Sequence, residues 1–209
     1  MPRGLGQLTN LQSLAEYELS TDSSGLKELH GLNQLRKNLR IKNLRHKKDA
    51  ELEYKACLKE KQHLEGLVLE WIEREGDVEY EEMSVEALEP NQNLKSLELK
   101  SYRGVKYPSW LSSLKNLVSL KLDSMKNSQD VLPLHQFPSL KTLYLKDIPS
   151  LEYVTESFKL PPLESLYIWD CPNLKGWWRR SDSIEEDEDA ADNHGEISTQ
   201  LRDCHMYKS

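Results

Sequence analysis

The chain lacks most of the features that announce a functional class. No stretch approaches the roughly 18 consecutive apolar residues of a membrane-spanning helix. Met1 is followed by Pro2-Arg3-Gly4-Leu5-Gly6, with neither the charged segment nor the apolar run of a secretory leader. The three cysteines, Cys57, Cys171 and Cys204, are odd in number and widely separated, which suits a reducing compartment better than a disulfide framework. No Asn-x-Ser/Thr acceptor occurs. The expectation is a soluble intracellular protein, cytoplasmic or also nuclear.

Catalytic signatures are missing as well. There is no Gly-x-x-x-x-Gly-Lys-Ser/Thr loop for a nucleotide, no Gly-x-Ser-x-Gly and no His-Glu-x-x-His. The six histidines have neither metal-ligand spacing nor a nearby cysteine. Carboxylates are plentiful, but they fall in solvated segments, where the shifted pKa that acid–base catalysis needs rarely develops. The reading is therefore not an enzyme, with no catalytic residue, metal or cofactor. The net charge of −7 argues against nucleic acid, and Ser181–Asp192 accounts for it with seven acids and no base.

β-branched residues are scarce: seven valines and six isoleucines stand against 36 leucines. The leucines are periodic. Leu120/Leu122, Leu143/Leu145 and Leu166/Ile168 lie 23 residues apart, each preceded by Leu-x-x-Leu-x-x spacing: Leu114 and Leu117, Phe137 and Leu140, Leu160 and Leu163. Looser copies precede them at Leu97/Leu99, Leu67/Leu69 and Leu39/Ile41, and Leu8, Leu11 and Leu14 begin a seventh. This spacing predicts an α/β leucine-rich repeat solenoid of six to seven repeats, with one short parallel strand per repeat and an irregular or short helical convex side.

The repeat domain is assigned to residues 1–180. Met125, Ile148 and Cys171 recur 23 apart after the strands and read as core positions. Helical spacing over Asp49–Lys61 predicts a convex helix, and Glu70–Glu89, with nine acids and one base, reads as an acidic insertion holding a short helix stopped by Pro90. Trp177 and Trp178 are expected to cover the last repeat. Residues 181–209 have the composition of a disordered acidic tail; Ser183, before Ile184-Glu185-Glu186, is either an acceptor for an acid-directed kinase or a chance occurrence in an acidic run.

Alternation along each strand exposes the residue between the two leucines and its neighbours two positions away. The central column reads Val68, Glu98, Lys121, Tyr144, Tyr167; the next reads Glu70, Lys100, Asp123, Lys146, Trp169; the preceding one is Gly66, Ser96, Ser119, Thr142, Ser165. Glu98, Lys100, Lys121, Asp123, Tyr144, Lys146, Tyr167 and Trp169 are the candidate protein-binding residues. The aromatics either form a contact patch or merely stack on one another and stabilise the sheet.

Three blocks carry a more specific likeness: Tyr102-Arg103-Gly104-Val105-Lys106-Tyr107-Pro108-Ser109-Trp110-Leu111, Asn116 to Leu122, and Leu132-Pro133-Leu134-His135-Gln136-Phe137-Pro138-Ser139-Leu140-Lys141. In succession they resemble the repeat region of plant coiled-coil, nucleotide-binding disease-resistance receptors, over roughly residues 1 to 178. The resemblance implies effector sensing and autoinhibition in plant defence, with a pathogen effector or host protein and a nucleotide-binding switch domain, in cis or trans, as partners. Arg40, Lys42, Arg45, Lys47 and Lys48 would then face that switch domain, or else form a solvated basic face. Since the family's nucleotide-binding loop is missing, the expectation is a fragment of such a receptor; a stand-alone adaptor or decoy, or a truncated product without function, are the alternatives.

Overall fold

A computed structural model describes residues 4–19, 26–44, 58–72, 78–128, 132–156, 159–178 and 203–207. Eight strands form one all-parallel sheet: β1 (Glu16–Glu18), β2 (Lys37–Leu44), β3 (Leu64–Trp71), β4 (Ser96–Lys100), β5 (Ser119–Asp123), β6 (Thr142–Lys146), β8 (Ser165–Trp169) and β10 (Asp203–Tyr207), in that order. A second parallel pair, β7 (Tyr153–Thr155) and β9 (Gly176–Trp178), joins the segments that follow β6 and β8. Among the described residues the helices are short: α1 (Lys27–His30), α2 (Val78–Glu86) and single 3-10 turns at Leu5–Gln7, Ser109–Ser113 and Leu134–Gln136. This is a leucine-rich repeat solenoid.

The register stacks like on like. Leu67, Leu97, Leu120, Leu143 and Leu166 pair in one ladder, and Leu69, Leu99, Leu122, Leu145 and Ile168 in another. All ten are buried, so the leucines fill a continuous core beneath the sheet. One further position repeats. Asn43, Ser101, Ser124, Asp147 and Asp170 take left-handed φ values of 51–59° at the strand ends. Short polar side chains tolerate that conformation, and the kink turns the next residue inward. Leu44, Tyr102, Met125, Ile148 and Cys171 are all buried as a result. The last three are the core positions expected from the spacing.

Three expectations are modified. The described parts of the acidic stretch 70–89, residues 70–72 and 78–89, are built into the repeat stack. Glu70 and Trp71 end β3, and α2 packs down with Val85 and Leu88 buried. Glu82 accepts the Val105 and Lys106 amides at 3.0 and 3.1 Å, Glu86 accepts the Ser109 amide at 2.7 Å, and the Trp110 indole donates to the Val85 carbonyl at 2.9 Å. Acids that look like a solvated insertion thus cap backbone donors of the following repeat. Secondly, Trp177 and Trp178 lie half-buried in β9, extending the small second ladder; the outer edge of β8 is taken by β10. Thirdly, Asp203–Tyr207, inside the segment whose composition predicts disorder, is a strand in repeat register with β8. The convex helix expected over Asp49–Lys61 falls outside the described residues except for its last four, a turn in which buried Lys61 donates to the Leu29 carbonyl at 2.6 Å.

Candidate protein-binding face

The parallel register converts the residues between the leucines into columns that run across the sheet. The central column is Glu16, Arg40, Val68, Glu98, Lys121, Tyr144, Tyr167 and His205. Beside it Glu70, Lys100, Asp123, Lys146, Trp169 and Tyr207 pair in turn. Arg40 and Lys42, read from the sequence as a separate contact group, share this face at its N-terminal end. Arg45, Lys47 and Lys48 lie outside the described residues.

From the N-terminal end to the middle of the face the charges answer one another. Lys42 meets Glu16 at 2.7 Å, Lys100 meets Glu70 at 2.9 Å, and Lys121 meets Glu98 at 2.9 Å. Asp123 is nearly covered; it accepts the Ser124 hydroxyl at 3.1 Å and lies 3.7 and 3.9 Å from Lys121 and Lys146. It therefore positions lysines more than it offers a surface. Burial of Lys121 works to lower its pKa, but the hydrogen bond and charge of Glu98, with Asp123 and Tyr144, outweigh this and leave it raised. Lys121 stays charged at neutral pH. Exposed pairs of this kind contribute little net stability, and an incoming charge must compete with the partner already in place.

The C-terminal end differs in kind. The Tyr144 and Tyr167 rings stand 5.6 Å apart, and His205 stacks on Tyr167 at 5.3 Å with an interplanar angle of 11°. The Lys121 ammonium sits 5.1 Å from the Tyr144 ring, within cation–π range. Trp169 remains 43% exposed, an unusual state for so large an apolar side chain. Tyr144, Tyr167, Ile168, Trp169 and His205 line a hollow of about 260 Å³. Small-molecule sites usually occupy some 300–1,000 Å³, so this volume suits a side chain or two of a protein partner better than a cofactor.

The eight candidate protein-binding residues, with Arg40 and Lys42, thus share one face. His205 was missed because it sits in the acidic tail. The alternation Cys204-His205-Met206 was its available signal, since a period of two marks a strand. Glu16 and Arg40 were also not included in the column, because Tyr17 replaces leucine in β1 and the basic run masks β2. Among the described residues no group of histidine, cysteine or carboxylate side chains is arranged to hold a metal. No helix among them is long and apolar enough to cross a membrane.

Comparison with known proteins places this geometry. Segments of 113 to 118 residues align with plant relatives: 36% identity over 118 residues to the candidate disease resistance protein RGA1 of Solanum bulbocastanum, covering 53% of this chain and 11% of the relative. The Arabidopsis thaliana candidate disease resistance protein At3g14460 is 34% identical over 113 residues, covering 49% of this chain and 8% of the relative. RGA4 of Solanum bulbocastanum is 35% identical over 116 residues, with shares of 53% and 11%. The matches thus span about a tenth of these relatives' length. The leucine-rich repeat domain of the type III effector XopL is similar at 20% identity and a TM-score of 0.45, over 81% of this chain and 65% of that one. Leucine-rich repeats of this sort serve as protein-interaction modules and are typically non-catalytic. A profile of the R13L1/DRL21 leucine-rich repeats matches residues 26–148, more than half of the sequence, and the chain belongs to that family.

Proposed function

We propose that this chain is a non-catalytic recognition segment of a plant disease-resistance receptor. Its concave face senses a pathogen effector or a modified host protein, and its N-terminal repeats restrain a nucleotide-binding switch domain, in cis or in trans. The observation that carries this reading is the division of the face. Charges are mutually paired over its middle, whereas Tyr144, Tyr167 and Trp169 form an aromatic shelf at one end. Tyrosine and tryptophan are residue types enriched in interface hot spots. Arg40 on β2, five strand spacings or about 24 Å from Trp169 on β8, supplies charge for the switch-domain contact, and Arg45, Lys47 and Lys48 are the further bases of that group. The repeats proper are assigned to residues 1–180, the acidic segment 181–209 is appended to them, and the site of action is the cytoplasm or nucleus.

Such a receptor switches only if the sensed protein binds the released state more tightly than the restrained one. The test uses the full chain and its Y167S/W169S double variant, each assayed by pull-down against a recombinant nucleotide-binding switch domain of the receptor type and against a panel of effectors. The shelf variant should retain the parent's melting temperature, keep any switch-domain association and lose effector or host-protein binding. Identical binding profiles for the two chains would overturn the reading.

A further inference from the structure

We propose that the outer edge of β8 is an acceptor for an extended peptide added as a parallel strand, and that β10 occupies this acceptor in cis as a displaceable mimic of the incoming segment. The argument begins with how β10 is held. Asp203, Cys204, His205, Met206 and Tyr207 pair in unbroken register with Ser165, Leu166, Tyr167, Ile168 and Trp169, and the Asp203 amide donates to the Glu164 carbonyl at 3.1 Å. His205 stacks on Tyr167. The backbone groups and one ring therefore reproduce a repeat strand.

The side chains do not. Cys204 and Met206 stand where every inner repeat puts two buried leucines or their equivalents, yet both are exposed, Met206 to 56%. Residues 203–206 are exposed throughout. The strand satisfies the edge of β8 without adding a core layer, so it gains main-chain hydrogen bonds and little apolar burial. A segment of pattern x-aliphatic-x-aliphatic-x would form the same ladder and bury more against Leu166 and Ile168. The occupant this site fits is therefore an extended partner peptide with aliphatic residues at alternate positions and a planar side chain between them. Its arrival would also replace His205 on Tyr167 with the planar side chain of the incoming segment. The inference goes beyond the recognition reading above, because strand addition uses the sheet's backbone edge and not the Trp169 shelf.

The experiment is hydrogen exchange on the full chain with a synthetic peptide copying residues 201–209 and carrying C204L and M206L. Displacement should speed exchange of the 203–207 amides roughly tenfold while leaving the β8 amides protected, because the peptide takes over their pairing. The same peptide with proline in place of His205 should have no effect, since it lacks the central amide donor. In a second arm, C204L/M206L is placed in the full chain itself, where it should slow exchange of 203–207 and block the peptide. Unchanged exchange of 203–207 on adding the leucine peptide would overturn the proposal, as would a C204L/M206L chain that exchanges there as fast as the parent.

Discussion

Leu145 is fully buried between Leu122 and Ile168 in the sheet ladder, and it measures what one repeat position contributes. Burying a leucine is worth about 1.5–3 kcal/mol, and an unpaired carboxylate in its place adds a desolvation cost. Leu145→Asp should therefore lower stability by about 4 kcal/mol or more in a urea melt; a curve that superimposes on the parent's would refute the register. The cysteines give a chemical test at the same scale. Cys171 is 3% exposed, and burial, joined by the nearby charges of Asp170 and Asp147, raises its thiol pKa against the opposing Ile148 amide. Cys204 is exposed in β10. Since the thiolate is the reacting species, alkylation at mildly alkaline pH should modify Cys204 and spare Cys171 until denaturant is added. Peptide mapping after a timed iodoacetamide pulse decides it, and equal labelling of the two would contradict the burial of Cys171.

At the scale of elements, α2 shows how acidic side chains can be structural. Glu82 and Glu86 each turn a carboxylate toward backbone amides of the next repeat, and Glu86 also accepts the Ser109 hydroxyl at 2.8 Å. The Glu82→Ala/Glu86→Ala chain leaves the amides of Val105, Lys106 and Ser109 to water. It should lose about 1–3 kcal/mol and exchange faster at those three positions, whereas the β4 amides should be unaffected. Protection unchanged at Val105 and Ser109 would mean the carboxylates are incidental. Gly104 belongs to the same corner, because the Tyr102 ring lies across it and a Cβ there would overlap that ring. The inner strands were legible in the sequence, because leucine at fixed spacing records both strand position and buried face. What escaped lay outside that code. Tyr17 stands in for leucine in β1, and the left-handed polar residue at the ends of β2, β4, β5, β6 and β8 is a single position that hydropathy does not mark. β10 contributes backbone pairing without aliphatic side chains, so its composition reads as tail. The columns of the candidate face followed from alternation once the strands were set, but pairing distances such as those of Lys121 and Glu98 needed coordinates.

The described repeats form a stack in which each strand of the main sheet is hydrogen-bonded to the next, and stability in such arrays is close to a sum of repeat and nearest-neighbour contributions. β4, β5 and β6 have a complete repeat on both sides, with their inward leucines fully buried. The flanks are thinner. Near β1, Leu5, Leu11 and Leu14 are only partly buried and Leu8 is 54% exposed; near β10, Met206 is 56% exposed. Amide protection should therefore be highest at Leu97–Leu99, Leu120–Leu122 and Leu143–Leu145 and fall toward Tyr17 on one side and His205 on the other, as hydrogen exchange with mass spectrometry can read. Leu145→Asp provides the stricter form of this experiment. Damage at β6 should lower protection in β5 and β8 more than in β2, because the interface contributions it removes are local. A uniform fall across all strands would show instead that the chain opens as one unit, and the one-dimensional account of its stability would have to be given up.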